Sequence, residues 1–178
     1  MMFVSLGIGT LVAILLIGLV SYFTGGHVTQ KTGLPTTKLD GQHVASFTLP
    51  GVGVRSVTAP YTSGHPTVLI FFASYCTPCQ HEMPSVATYL RTHSTGKVHV
   101  VGIDASDVMG AAQNFLKQDK VTFPVAFDAT DKVTTGIFQF GQIPETVFIN
   151  AKGVVQSVYF GAVPKNTLAA GIASLNKA

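Results

Sequence analysis

Apolar runs of two lengths divide the chain. Phe3 to Phe23 carries no charged residue over about 21 positions, long enough to cross the hydrocarbon core of a bilayer as one helix. The later runs are of strand length. Val68 to Phe72 is continuously apolar, which predicts a central strand covered on both faces, because only a half-exposed strand needs to alternate. Val98 to Ile103 predicts a second buried strand ending at Asp104, and Ala111 to Lys117 a helix after it. Between them, Cys79 to about Thr92 reads as a helix, kinked near its start by Pro84. Val121 to Phe127 places F-P-V before a further strand, and Lys132 to Phe138 predicts a short helix. Thr146 to Asn150 and Val154 to Phe160 predict a hairpin around Lys152-Gly153, and Thr167 to Leu175 a closing helix. Ahead of this core, His43 to Leu49 and Gly53 to Val57 alternate loosely around P-G-V-G and predict a hairpin, with a loop over Tyr61 to Pro66.

This order divides the chain into an N-terminal anchor (1–25), a polar linker with Gly33 and Pro35 (26–38) and one α/β domain (39–178). The anchor reads as uncleaved. No basic stretch precedes the apolar run, the run is long for a signal peptide, and neither an A-x-A site nor a lipidation cysteine follows it. Lys31 and Lys38 lie after the span and nothing basic lies before it, so the positive-inside rule alone gives no support for export of the domain.

Both cysteines fall in one stretch, V-L-I-F-F-A-S-Y-C-T-P-C-Q-H-E-M-P. Cys76 and Cys79 are three apart, so on a helix they share a face at a separation one disulfide can bridge. Pro78 suits a first helical turn, where its missing N–H would have had no partner. That puts Cys76 at the helix N-terminus, where free N–H groups and the positive end of the dipole favour thiolate. Cys76 is therefore the expected nucleophile and Cys79, one turn inside, the expected resolving thiol. Thr77 and Pro78 shape the turn and so tune the couple.

F-F-A-S-Y-C-T-P-C-Q-H-E-M-P, together with the later I-P-E-T-V-F-I-N, resembles the signatures of membrane-anchored thioredoxin-like thiol–disulfide oxidoreductases. The resemblance is to the groups that reduce thiols during cytochrome c maturation, together with related general thiol–disulfide oxidoreductases. The resemblance spans residues 39–178. It implies a thioredoxin-like α/β fold: a central mixed sheet flanked by helices, preceded by an N-terminal β-hairpin and a single transmembrane helix. It further implies that Pro144 is cis and packs against the C-x-x-C, so that Ile143 offers backbone groups to an extended substrate. Glu82 matches the family's acid, either as a proton shuttle or merely as a favourable charge in the first turns of a helix. Asp107 aligns with an acid that tunes thiol reactivity in some relatives, although an Asp there also serves to cap the next helix; Asp104 is a weaker candidate of the same kind. His81 is a candidate to polarise Cys79, against the usual inertness of a histidine on a helix surface. Two departures stand out. Tyr75 replaces the family's tryptophan, and Ile70 occupies the position six before Cys76 where thioredoxins proper bury an acid, which argues against a cytosolic thioredoxin.

Composition narrows the alternatives. The chain has 178 residues, enough for one domain and a small extra segment. Only 11% are charged, and the net charge of +3 forms no basic run, which excludes a nucleic-acid footprint. Zinc would need two ligands beyond the cysteines, and His27, His43, His65, His81, His93 and His99 lack finger-like spacing. A peroxiredoxin would carry Thr or Ser three before its reactive cysteine, where this chain has Ala73. An extracytoplasmic copper-binding chaperone using the same two thiolates is the remaining alternative. The expected protein is an extracytoplasmic reductant without a bound cofactor. Its partners would be protein thiols and disulfides, apocytochrome c among the candidates, and a membrane electron donor.

Overall fold

A computed structural model describes residues 37–178. The anchor expected over 1–25, and the linker as far as residue 36, lie outside the described residues. Among those described, no helix is long and apolar enough to cross a membrane.

The central strand, β3 (Thr67–Phe72), is formed by the continuous apolar run, and all six of its residues are buried. It pairs in parallel with β4 (His99–Ala105), which pairs in parallel with β5 (Val125–Asp128). On its other side it pairs antiparallel with β6 (Glu145–Ile149), which pairs antiparallel with β7 (Val155–Phe160). The mixed sheet thus has the order β5-β4-β3-β6-β7, with the fully buried β3 at its centre. A separate hairpin joins β1 (Thr48–Pro50) and β2 (Ser56–Thr58).

One face of the sheet carries all three helices: α1 (Thr77–Thr92), α2 (Met109–Gln118) and α3 (Lys165–Lys177). Leu168, Ile172 and Leu175 recur at helical spacing on α3 and pack with Val68, Ile70 and Phe148 and with Val86 and Tyr89 of α1. Nearer the C-terminal ends of β3 and β4, Cys79 and Met83 of α1 meet Ala112 and Phe115 of α2 and Phe72. The opposite face is closed without an α-helix, one turn of 3-10 helix over Pro60–Ser63 standing where a loop is expected. Phe47, Val57 and Tyr61 cover it from the N-terminal side, and Val133, Phe138 and Phe140 from the turns before β6.

Exposed sheet edges invite pairing with foreign strands, and here the N-terminal segment occupies both. Gly41 and Val44 donate backbone N–H groups to Val155 and Gly153 along β7, and Val155 donates to Gln42. At the other edge Val52 donates to the Val125 carbonyl at 2.9 Å, next to a bridge between Gly51 and Ala126. The hairpin region is therefore part of the sheet's construction.

Three expectations need correction. β4 does not end at Asp104 but continues to Ala105, because pairing with Phe72 and Phe127 extends the ladder through the acid. Lys132 to Phe138 forms turns and not a helix. Asp128 Oδ2 accepts the Val133 and Thr134 N–H groups and the Thr134 hydroxyl, and Gly136 and Phe138 donate five residues back, to Asp131 and Val133, so no regular four-residue ladder propagates. The hairpin strands are also shorter than expected, at three residues each.

Gly171 lies on α3 where an added Cβ would collide with the ring of Phe148, itself buried in the core. Alanine is favoured over glycine in a helix by about 1 kcal/mol, whereas overpacking a filled core costs about 1–3 kcal/mol. Gly171→Ala is therefore expected to lower the urea midpoint of the oxidised protein, and Gly171→Val to lower it further. A raised midpoint for Gly171→Ala would show that the ring yields freely.

Candidate active site

The site is built where β3 ends and α1 begins. After Phe72 the chain turns through Ala73–Tyr75, with Cys76 N–H donating to the Ala73 carbonyl at 3.2 Å. Two side chains brace this turn. The Ser74 N–H donates to Asp107 Oδ2 at 2.6 Å, and Gln80 donates from α1 to the Ser74 carbonyl at 2.7 Å. Cys76 is the N-cap of α1, with extended backbone, and its Sγ accepts the Cys79 N–H at 3.2 Å. A sulfur here takes the place of the usual hydroxyl or carboxylate cap. Thr77 and Pro78 open the helix, where the proline costs no hydrogen bond, and the helix continues through Pro84.

Cys76 and Cys79 are joined in a disulfide, with their Cα atoms 5.2 Å apart. Cys76 is 8% exposed and Cys79 is fully buried, so attack from outside reaches Cys76 first. Tyr75, the residue before it, is largely exposed. Across the site, the Ile143–Pro144 peptide bond is cis and the Ile143 carbonyl oxygen lies 3.7 Å from Cys76 Sγ. The Pro144 carbonyl accepts the Gly161 N–H, tying this loop to the end of β7.

Four acids surround the couple, and they differ in state. Glu82 is not in the first turn of α1 and does not serve as a surface charge there. It is buried, and its Oε1 accepts the Val163 N–H at 2.7 Å while Oε2 has no partner among the described residues. Burial pushes its pKa up to about 7, against the lowering effect of the Val163 bond. Glu145, next to Pro144, is buried and pushed up to about 7 by that burial. Asp104 is fully buried on β4 and raised to about 8, by burial first and then by Asp107. Asp107 goes the other way. Burial pushes it up, but bonds from Ser74 and Val108 outweigh this and hold it below the ordinary carboxylate range. It does not cap α2, whose N-cap is Val108; it accepts the Val108 N–H at 2.6 Å and braces the turn before Cys76.

The candidates named from the sequence divide accordingly. Cys76, Thr77, Pro78 and Cys79 lie together at the start of α1 with the Ile143–Pro144 loop against Cys76, Thr77 and Pro78 exposed and Cys79 and Pro144 buried. His81 is exposed on α1 and makes no side-chain hydrogen bond among the described residues. Among the described residues no cluster of three or more His, Cys, Asp or Glu side chains could hold a metal. Ser74, Gln80 and the Val163 N–H were not found from the sequence. The first two are ordinary polar loop and helix residues, and a backbone N–H leaves no mark in side-chain pattern.

A mixed sheet with a C-x-x-C disulfide capping the helix after its central strand, beside a cis-proline loop, defines the class: this is a thioredoxin-like thiol–disulfide oxidoreductase. The AhpC/TSA family profile matches residues 41–158, and the chain belongs to that family. It is 27% identical over 128 residues to thiol-disulfide oxidoreductase ResA of Bacillus cereus, covering 72% of this chain and 73% of that one. It is 23% identical over 158 residues to sporulation thiol-disulfide oxidoreductase A of Bacillus subtilis, covering 87% and 90%. The structure of a secreted Mycobacterium tuberculosis disulfide oxidoreductase homologous to Escherichia coli DsbE superposes with a TM-score of 0.63 at 26% identity, covering 72% of this chain and 96% of that one.

The raised acids set the sign of a pH effect. Glu82, Glu145 and Asp104 bind protons more tightly folded than unfolded, so their contribution to stability is fully present below the ordinary carboxylate range and is lost progressively as pH rises from there to about 7 or 8. Asp107 acts oppositely, but only below the ordinary carboxylate range. The oxidised protein should therefore show a higher urea midpoint at pH 5.5 than at pH 8.5, with a smaller difference in Glu82→Gln. A midpoint that rises with pH would contradict the assignment.

Proposed function

We propose that Cys76 is the attacking thiolate and Cys79 the resolver of a reductant acting on protein disulfides outside the cytoplasm. The observation that carries this reading is the Cys79 N–H aimed at Cys76 Sγ at 3.2 Å, on the more accessible of the two sulfurs. A donor aimed at the sulfur from a helix N-terminus stabilises negative charge there, which lowers the thiol pKa and makes this sulfur both the better nucleophile at neutral pH and the better leaving group. In the reduced protein the Cys76 thiolate attacks a substrate disulfide, forming a mixed disulfide and releasing one substrate thiolate. Cys79, deprotonated, then attacks Cys76 Sγ and releases the second. Two electrons pass to the substrate, its two sulfurs take up protons, and the Cys76–Cys79 disulfide remains.

Ile143 and Pro144 form the wall against which an extended substrate segment lies, its main chain adding to the Ile143 backbone. Thr77 and Pro78 set the turn, and Glu82 and Asp107 support the couple from behind. No bound cofactor is needed, since a membrane electron donor returns the disulfide to the dithiol. The ResA relatives, named thiol-disulfide oxidoreductases, support the exchange chemistry, and the secreted Mycobacterium disulfide oxidoreductase supports a place outside the cytoplasm; the sequence resemblance favours the reducing direction. Apocytochrome c is the substrate that the sequence resemblance favours. The uncharged run from Phe3 to Phe23 supports an anchor that tethers the domain to the outer face of the membrane.

Cys79→Ser is expected to accumulate mixed disulfides isolable under non-reducing conditions, and Cys76→Ser to trap at least about tenfold less. Equal trapping by both variants would contradict the assignment of the two sulfurs, and a copper chaperone would form no such adducts. The identities of the trapped proteins test the apocytochrome c proposal. A reporter active only outside the cytoplasm, fused after Ala178, should be active; an inactive fusion would overturn the localisation.

A further inference from the structure

Helix α2 turns an unusual stripe toward α1. Ala111, Asn114, Phe115 and Gln118 recur at the spacing that puts residues on one helix face, where a neighbouring helix is ordinarily met by apolar side chains. Phe115 is buried, but Asn114 and Gln118 are exposed carboxamides. The two helices leave a cleft of about 460 Å³ between them, lined on one side by Ser74 and Gln80 and on the other by this stripe and Asp119. No residue of the Ile143–Pro144 loop lines it, so it is separate from the wall described above.

The chemistry of the lining suits one kind of ligand. Gln80 Nε2 is committed to the Ser74 carbonyl at 2.7 Å, which fixes that carboxamide and leaves its oxygen to accept. Asn114 and Gln118 each add donors and an acceptor. Groups that both donate and accept match a polypeptide main chain, which offers one N–H and one C=O per residue. Charged side chains are less well matched. Asp119, whose Oδ2 is buried without a partner among the described residues, opposes an acid, and Arg91, which donates to the Asp119 and Lys120 carbonyls at 3.4 and 2.8 Å, opposes a base. The cleft also lies within reach of the reacting sulfur. Ser74 is two residues before Cys76, at most about 7 Å along the chain, and Asn114 to Gln118 covers about 6 Å of helix axis. An extended substrate advances about 3.3 Å per residue, so residues about two to four from its attacked cysteine would lie there.

We propose that this cleft is a subsite for the main chain of the protein substrate, with Gln80, Asn114 and Gln118 as specificity-determining contacts for residues about two to four from the attacked cysteine. The inference rests on Cys76 attacking protein disulfides and extends that reading along the substrate chain. It makes length a criterion: a disulfide in an extended, uncharged segment exchanges faster than one in a molecule too short to reach α2.

The test uses the full-length protein, chemically reduced, and measures second-order rate constants for exchange with two disulfides. One is oxidised glutathione, too short to reach α2; the other is the symmetrical disulfide of an uncharged peptide with about five residues on each side of its cysteine. Wild type is compared with the double variant Asn114→Ala, Gln118→Ala, which leaves Ser74 and Gln80 in place and puts a good helix former at both positions. The double variant should lose at least about fivefold on the peptide and stay within about twofold of wild type on glutathione. Methylating the peptide's main-chain nitrogens at the places that reach the cleft should cost wild type a similar factor, and cost the double variant less than about twofold. Equal rates of wild type and double variant on the peptide, or equal losses on both disulfides, would overturn the subsite. So would a loss seen only with peptides that carry lysine or glutamate at those places, which would assign the cleft to a charged side chain. Wild type that exchanges with neither disulfide would instead overturn the reading of Cys76 itself.

Discussion

A sulfur atom stands where a helix usually places a hydroxyl or carboxylate, and most of the molecule serves that substitution. For Cys76 Sγ to accept the Cys79 N–H, α1 must start within a few residues of the end of a strand that is buried on both faces. Such a strand is held in place by its neighbours, so its last residue is a fixed point from which a reactive atom can be positioned. The Ser74 turn, fastened by Asp107 and Gln80, carries that rigidity across the gap. A helix N-terminus supplies what the chemistry needs, positive potential and free donors, without any charged side chain at the sulfur.

The same arrangement explains why the acids behind the site differ in ionisation. Burial alone would keep every one of them neutral, since an ionised carboxylate in an apolar interior is costly. Those that meet few donors, Glu82, Glu145 and Asp104, are pushed up to about 7 or 8, while Asp107, which gathers N–H groups from the two loops it joins, stays ionised. A charge is thus kept only where backbone donors offset its desolvation, and that charge braces the active-site turn.

How far the molecule is legible from its sequence depends on whether a feature is local. The run Val68–Phe72, the three-residue spacing of the cysteines and the proline in the first helical turn each carry their consequence within a few positions, and the strand, the disulfide and the helix start follow from them. The helix expected over Lys132–Phe138 does not form: Asp128, on the preceding strand, gathers Val133 and Thr134 into turns whose Gly136 and Phe138 N–H groups donate five residues back, which breaks the four-residue ladder. From sequence Glu82 reads either as a proton shuttle or as a favourable charge in the first turns of its helix, and its burial is not legible because its partner, the Val163 N–H, comes from 81 residues further along. Asp104 reads as the end of its strand because an acid ordinarily marks a strand's exposed end. Only the pairing with β3 and β5 shows that it is carried inside.

The central claim, that Cys76 and Cys79 form one reversible couple whose outer sulfur does the attacking, is tested most directly by following both thiols in the full-length protein through a series of glutathione ratios, with each cysteine's alkylation state read by mass. The account predicts one two-electron transition in which both thiols appear together, with Cys76 alkylated much faster than Cys79 at neutral pH. Two separate one-thiol transitions, a stable glutathione adduct on Cys79, or faster alkylation of Cys79 would contradict it.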